Sequence, residues 1–272
     1  LKKRRIDIAV ISNIHLGAES CQAEALLGYL SSISPKILVL NGNFMETNPS
    51  LQVAFPPRHF SILKKLFGMA AAGTKVYYVF GTRDSAVDLF RDKALGNVYF
   101  TKNLFLNLDG KKAWFTNGDF LKSPLFGKKW VQGLGIGFLG ALAGSICLKN
   151  NLWKAIGIQK STPRLSAQKD SEDPFLSVEG IRETAVKLAV GRGCEYLICG
   201  APHQPTKLWV ETRAGKCQYL SAGDWVHNLT TLEYNFKRWK PYRYSEDKLS
   251  PFFTDTDLKE MNAEELLARN LR

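Results

Sequence analysis

A unit that recurs in the first third of the chain constrains the fold more than any other feature. Ile6 to Ser12 is a short, apolar, β-branched run, and Ala23 to Ile33 follows with Leu26, Leu27, Leu30 and Ile33 at helical spacing. The same grammar returns as a strand over Lys36 to Leu40, a loop containing Asn41-Gly42-Asn43, and a helix on which Ile62, Leu63, Leu66, Phe67 and Ala70 share a face before Gly73 ends it. Lys75 to Phe80 reads as a third strand, followed by the loop Gly81-Thr82-Arg83-Asp84. Repeated β-loop-α units require parallel strands and α/β layering, with the loops after the strands gathered at one edge.

Beyond Asn97 the pattern changes. Leu104 to Leu108 and Lys111 to Thr116 are strand-like runs joined by Asp109-Gly110, a two-residue hairpin signal. Glu195 to Cys199, Thr206 to Glu211, Cys217 to Ser221 and Thr230 to Tyr234 read as further short strands, so a second, more antiparallel sheet is expected. The expected fold class is α/β, a sandwich of two mixed sheets flanked by helices. Its core would comprise residues 1–120 and 174–254, with a lid insertion over 121–173 and a C-terminal amphipathic helix over 255–272 carrying Leu258, Met261 and Leu266.

Charge singles out the insertion. The chain of 272 residues carries a formal net charge of +12, and eight basic residues with no Asp or Glu lie between Phe120 and Lys169. Within that stretch, Trp130 to Leu148 is uncharged, contains Gly133, Gly135, Gly137, Gly140 and Gly144, and is flanked by Lys128, Lys129 and Lys149. Nineteen uncharged residues come close to the length of a membrane span, about 20 residues, but Gln132, Ser145 and five glycines make a poor one. An apolar, glycine-jointed helical lid that touches lipid or acyl chains, tied to anionic headgroups by Lys122, Lys128 and Lys129 and presenting Trp130, suits the pattern better; a buried glycine-rich hairpin is the structural alternative. Nucleic-acid binding is disfavoured, since the cations surround an apolar run instead of interleaving with aromatics. The five cysteines form no CxxC pair, which argues against a disulfide framework or a thiolate zinc site. With no apolar leader and small-residue cleavage site at the start of the sequence, a cytoplasmic location is expected, peripheral to the inner membrane if the lid touches lipid.

The loops after the strands carry the chemistry. They read Ser12-Asn13-Ile14-His15-Leu16-Gly17, Asn41-Gly42-Asn43, Gly81-Thr82-Arg83-Asp84, Asn117-Gly118-Asp119 and Gly200-Ala201-Pro202-His203-Gln204-Pro205. In order and context these resemble the five blocks of the calcineurin-like metallophosphoesterases, written Asp-x-His, Gly-Asp, Gly-Asn-His-Asp/Glu, His-Gly-Asp and Gly-His-x-His. Gly-x-Arg-Asp in block three, together with Tyr219-Leu220-Ser221-Ala222-Gly223-Asp224-Trp225, is similar to the UDP-2,3-diacylglucosamine pyrophosphohydrolase branch of lipid A synthesis. That resemblance implies a manganese-dependent hydrolase beneath a lid that takes acyl chains, with the lid between blocks four and five.

The chain departs from the family at the metal ligands. The family's first-metal positions fall on Asn13, His15, Asn43 and His203, and the second-metal positions on the shared Asn43 with Thr82, Asn117 and Ala201. Two divalent ions about 3.5–4 Å apart need a bridging anion, and an amide at position 43 supplies no net charge. A residual site of His15, His203, Asn13 and Asn43 is expected to hold no metal, or a single weakly bound manganese. Arg83 matches an arginine that meets phosphate in the family, or it pairs with Asp84; Asp84 and Asp119 are expected to fix loops, His59 to be an ordinary loop histidine, and His227, after the Gly-Asp-Trp turn, to be ordinary or to contact substrate. The expected function is a degenerate, catalytically inactive relative binding a phosphorylated lipid or UDP-sugar lipid, with peripheral membrane contact. The rival is an active pyrophosphohydrolase whose metal site is mononuclear or rebuilt around Asp84, Asp119 or Asp224.

Overall fold

The computed structural model describes residues 2–46, 56–81, 84, 89–118, 178–200, 202–250 and 253. In chain order the elements are β1 (Arg4–Ile11), α1 (Ala23–Ser32), β2 (Ile33–Asn41), α2 (Pro57–Ala71), β3 (Lys75–Val79), β4 (Ala94–Leu95), β5 (Val98–Thr101), β6 (Asn103–Leu108) and β7 (Lys111–Thr116). They continue with α3 (Val178–Gly191), β8 (Tyr196–Cys199), β9 (Thr206–Thr212), β10 (Gly215–Ser221), β11 (Thr230–Asn235) and β12 (Arg238–Arg243).

Two sheets form, ordered β12-β11-β1-β2-β3-β5-β4 and β6-β7-β8-β10-β9. Strands β1, β2, β3 and β5 run parallel, as the recurrent unit requires, and antiparallel strands close both edges of that sheet. Side chains alternate across each strand with period two. Val10, Val39 and Val79 face Phe115, Ile198 and Leu220 in a core between the sheets. The opposite faces of the strands are covered by helices: Ile11, Leu38, Leu40 and Tyr78 pack with Leu26, Leu30, Ile62 and Leu66 of α1 and α2, while Trp114, Leu197 and Tyr219 pack with Val186 and Ala189 of α3. The result is the expected sandwich of two mixed sheets flanked by helices.

Several expectations need correction. The second sheet is not the more antiparallel one, because β7–β8 and β8–β10 pair in parallel and only its edges, β6–β7 and β9–β10, are antiparallel. Thr230 to Tyr234, grouped with the late strands, pairs with β1 in the first sheet. Ile33, counted as helical, already belongs to β2, where it pairs with Arg4. Phe67 is 55% exposed; Ile62, Leu66 and Ala70, spaced four apart, hold the buried stripe of α2 without it. His59 lies in the first turn of α2 and not in a loop, because Pro56 and Pro57 preset the helix start instead of excluding it. The edge strand β12 escapes a pattern reading because Arg238, Lys240 and Pro241 are poor strand signals, yet a proline is tolerated at a sheet edge. Strands β4 and β5 and helix α3 are likewise additions to the sequence reading.

Cys21, Cys194, Cys199 and Cys217 are buried thiols outside any disulfide among the described residues. No helix among the described residues is long and apolar enough to cross a membrane. The expected lid and C-terminal helix fall outside the described residues.

Candidate functional site

The loops that follow β1, β2, β3, β7, β8 and β10 meet at one end of the sandwich, where parallel strands deliver their carboxyl ends together. The first two loops are zipped side by side. Asn13 N–H donates to Gly42 O at 3.1 Å, His15 N–H to Asn43 O at 3.0 Å, Leu16 N–H to Phe44 O at 2.7 Å and Glu46 N–H to Leu16 O at 2.9 Å. Asn13, His15 and Asn43 all adopt positive φ, at 51°, 52° and 51°, a region that asparagine and histidine tolerate better than most residues with a Cβ.

The floor of the site is a network of amides. Asn13 is fully buried and its Nδ2 donates to Gly200 O at 2.7 Å and to Gly223 O at 3.0 Å. Two carbonyl acceptors fix the orientation of that amide, so its Oδ1 turns to Asn43, whose Nδ2 donates to it at 2.9 Å. Asn43 Oδ1 and Asn41 Oδ1 are buried without a hydrogen-bond partner among the described residues. Asn117 closes the other side, with its carbonyl accepting the Cys199 thiol at 3.6 Å. Glycine is needed on both sides of its side chain: Gly42 sits at φ 85° where a Cβ would run into the Asn117 amide, and a Cβ on Gly200 would run into Asn41 O.

Asp84 lies beneath this floor as a buried carboxylate surrounded by donors. Its Oδ2 accepts from Asn43 N–H at 3.0 Å and Gly81 N–H at 2.7 Å, and its Oδ1 from Met45 N–H at 3.0 Å and the Tyr78 hydroxyl at 2.7 Å. Burial pushes its pKa above the usual carboxylate range, against the opposing pull of those donors. The same burial, with Asp84 adjacent, raises the Tyr78 phenol. Asp84 therefore ties the second and third loops together, as a loop-fixing residue does.

The rim keeps its imidazoles. His15 and His203 lie face to face, their ring centroids 6.0 Å apart and their planes within 7°. Each ring has a carboxylate at Nδ1: Glu46 at 3.2 Å from His15, and Asp224 at 3.6 Å from His203. Burial works to raise the Asp224 pKa, but the bond to His203 and the N–H groups of Asn228, His227 and Val226 outweigh it and hold the carboxyl below its ordinary range. Behind the first loop, His59 Nδ1 accepts from Gly17 N–H at 2.9 Å, and burial lowers the His59 pKa in keeping with a neutral, accepting ring. A cavity of about 260 Å³ opens between these groups, lined by His15, Ala18, Ser20, Glu46, His203, Val226 and His227.

The structure thus brings together Asn13, His15, Asn43, Asn117 and His203. Arg83, Thr82, Ala201, Asp119, Lys122, Lys128, Lys129 and Trp130 fall outside the described residues. Glu46 was absent from the sequence reading; its only signal there was its position three residues after Asn43. His227, for which the sequence leaves both an ordinary role and substrate contact open, lines the cavity.

No family model matches the chain, and no curated protein is similar to it. Among solved structures, one described as "Structural and Functional Characterization of a Novel Archaeal Phosphodiesterase" is 8% identical, with a TM-score of 0.42, covering 87% of this chain and 98% of that one. Among the described residues, no three His, Cys, Asp or Glu side chains group as a metal-holding set. A dinuclear divalent centre does not fit these donors. The Asn13 amide hydrogens face carbonyl oxygens, its Oδ1 is taken up by Asn43, and Asn43 brings no charge to offset the repulsion between two ions.

Proposed function

We propose that the chain is a degenerate relative of the metallophosphoesterases, related to UDP-2,3-diacylglucosamine pyrophosphohydrolase, that has lost catalysis. In this reading the cleft survives as a binding site for a phosphorylated ligand, with a UDP-sugar lipid or another phosphorylated lipid as the first candidates. The observation that carries the reading is the Asn13–Asn43 pair: the two positions where the family places metal-binding carboxylates hold amides bonded to each other and to the backbone. Without two ions to clamp the phosphate, the attacking water keeps its high pKa and the hydroxide nucleophile does not form. The rim is what remains for recognition, since His15, His203 and Ser20 line a cavity with polar groups that can meet phosphate oxygens.

A second reading, an active pyrophosphohydrolase with one metal, draws on the two carboxylate-backed imidazoles. A carboxylate on the far nitrogen is the usual support of a metal-binding histidine. One experiment separates the two: hydrolysis of UDP-2,3-diacylglucosamine with excess manganese, with bound metal counted on the same sample. The expected result is no turnover and no stoichiometric metal, with saturable binding of the intact substrate. Turnover that disappears in His15→Ala and His203→Ala establishes the rival.

A further inference from the structure

The end of the sandwich opposite the cleft carries a second surface of distinct chemistry. The parallel strands enter the sheets there, and the β11–β12 hairpin turns there beside β1. Its turn is two residues long, Phe236 and Lys237, flanked by the pair Asn235↔Arg238. Both turn residues sit at positive φ, 49° and 59°, where a type I′ hairpin favours Asn-Gly. An aromatic residue in that conformation is strained, and Phe236 is 81% exposed, so no packing within the fold among the described residues explains its presence.

Charge surrounds the turn. Asn235 Nδ2 donates to Arg5 O at 3.2 Å, which brings the turn beside the start of β1. Lys2, Lys3, Arg5, Lys237 and Arg238 are all exposed, whereas Arg4 is held by Glu233 in a two-pronged pair at 3.0 Å. Among the described residues at this end, Asp7 pairs with Lys36 at 2.7 Å and Glu195 faces Lys111 at 3.8 Å, while Asp109 keeps its charge and accepts the Tyr234 hydroxyl at 2.7 Å, one carboxylate against five exposed cations. The corner is therefore cationic, with one aromatic side chain projecting from its tip.

We propose that this corner docks the protein on an anionic lipid bilayer, with Phe236 entering the headgroup region and the lysines and arginines meeting lipid phosphates. The complementarity is with a surface more than with a groove. The cations lie on separate strand ends and one turn, mostly as lysines, which suits a diffuse sheet of negative charge, and a lone aromatic at a hairpin tip forms a wedge and not a stacking platform. The inference is independent of the cleft ligand. The two surfaces share no residue, so loss of attachment and loss of ligand recognition are separately measurable.

The test is co-sedimentation of the full chain with vesicles of phosphatidylcholine, alone or mixed with phosphatidylglycerol, at low and high salt. Binding is expected only with the anionic lipid and is expected to fall with salt. Reversing two charges with Lys237→Glu and Arg238→Glu should weaken it by about tenfold or more, each surface cation being worth on the order of fivefold. The paired change Phe236→Asn and Lys237→Gly installs the favoured turn, so it should raise the thermal midpoint while weakening vesicle binding; this keeps the test clear of misfolding. The proposal is overturned if the charge-reversed variant binds as the wild type does, if neutral vesicles bind equally well, or if duplex DNA is bound as tightly as anionic vesicles at the same salt.

Discussion

Two buried polar positions a few residues apart in space contrast with each other. Asn13 meets two backbone carbonyl oxygens and must donate; Asp84 meets three N–H groups and a hydroxyl and must accept. The acid stands where donors surround it, and the amide stands where acceptors do. A carboxylate facing carbonyls needs a cation between them, while a carboxylate facing N–H groups does not. The identity of each side chain follows from the polarity of its neighbours, and the amide at position 13 belongs to a floor of amides bonded to one another and to backbone carbonyls.

The largest effect is expected from breaking the acidic half of that contrast. Asp84→Asn turns an NH2 toward two donors whichever way the amide flips, and should cost about 2–6 kcal/mol, two buried donors left unsatisfied at about 1–3 kcal/mol each. Denaturant unfolding checks this, and a loss below about 1 kcal/mol, the worth of a typical single hydrogen bond, would mean that Asp84 does not hold the loops. Next comes Asn13→Asp, which sets a buried carboxylate against Gly200 and Gly223 carbonyls and should cost about 2–3 kcal/mol. Combined with Asn43→Asp, it places two carboxylates in the floor of the cleft whose rim carries His15 and His203. Manganese should then raise the unfolding midpoint of the double variant and leave that of the wild type unchanged, as scanning calorimetry with and without the metal would read.

At the rim, the effects are smaller and depend on pH. Asp224 has its carboxyl held below the ordinary range, so its contribution is complete above about pH 4 and is lost as the pH falls through the lowered value. The stability gap between wild type and Asp224→Asn should thus be widest at neutral pH and shrink in acid. A gap that widens as the pH falls contradicts the sign. Glu46→Gln, which keeps a group able to hydrogen-bond His15, should change stability by only about 0.5–1.5 kcal/mol, the worth of a typical hydrogen bond. A much larger loss would move Glu46 from the rim into the group of residues that hold the loops.

The sequence was most informative where a local rule applies. Apolar periodicity marked β1, α1, β2, α2 and β3, and Asp109-Gly110 marked the β6–β7 hairpin, because these depend on neighbours within a few residues. It failed for β12, whose polar residues and proline are acceptable only at an edge, and for the placement of β11, which crosses to the first sheet to pair with β1. At the site, the block positions of Asn13, His15, Asn43, Asn117 and His203 were legible as a set. The partners Glu46, His59 and Tyr78 were not, since each reaches its contact only after two loops are zipped together.

What the chain determined by itself is a set of five ordered loops after strands, carrying the neutral side chains of Asn13, Asn43, Thr82, Asn117 and Ala201 beside His15 and His203. What only the tertiary structure decided is how those groups are partnered. Asn13 finds two carbonyls and a second amide at the meeting point of loops drawn from both sheets, the imidazoles keep their carboxylates at the rim, and the cations of Lys2, Lys3, Arg5, Lys237 and Arg238 collect at the opposite end. A hydrogen bond spanning 187 residues, such as that from Asn13 to Gly200, leaves no local trace, because its geometry exists only once the strands have paired and both sheets have closed on one core.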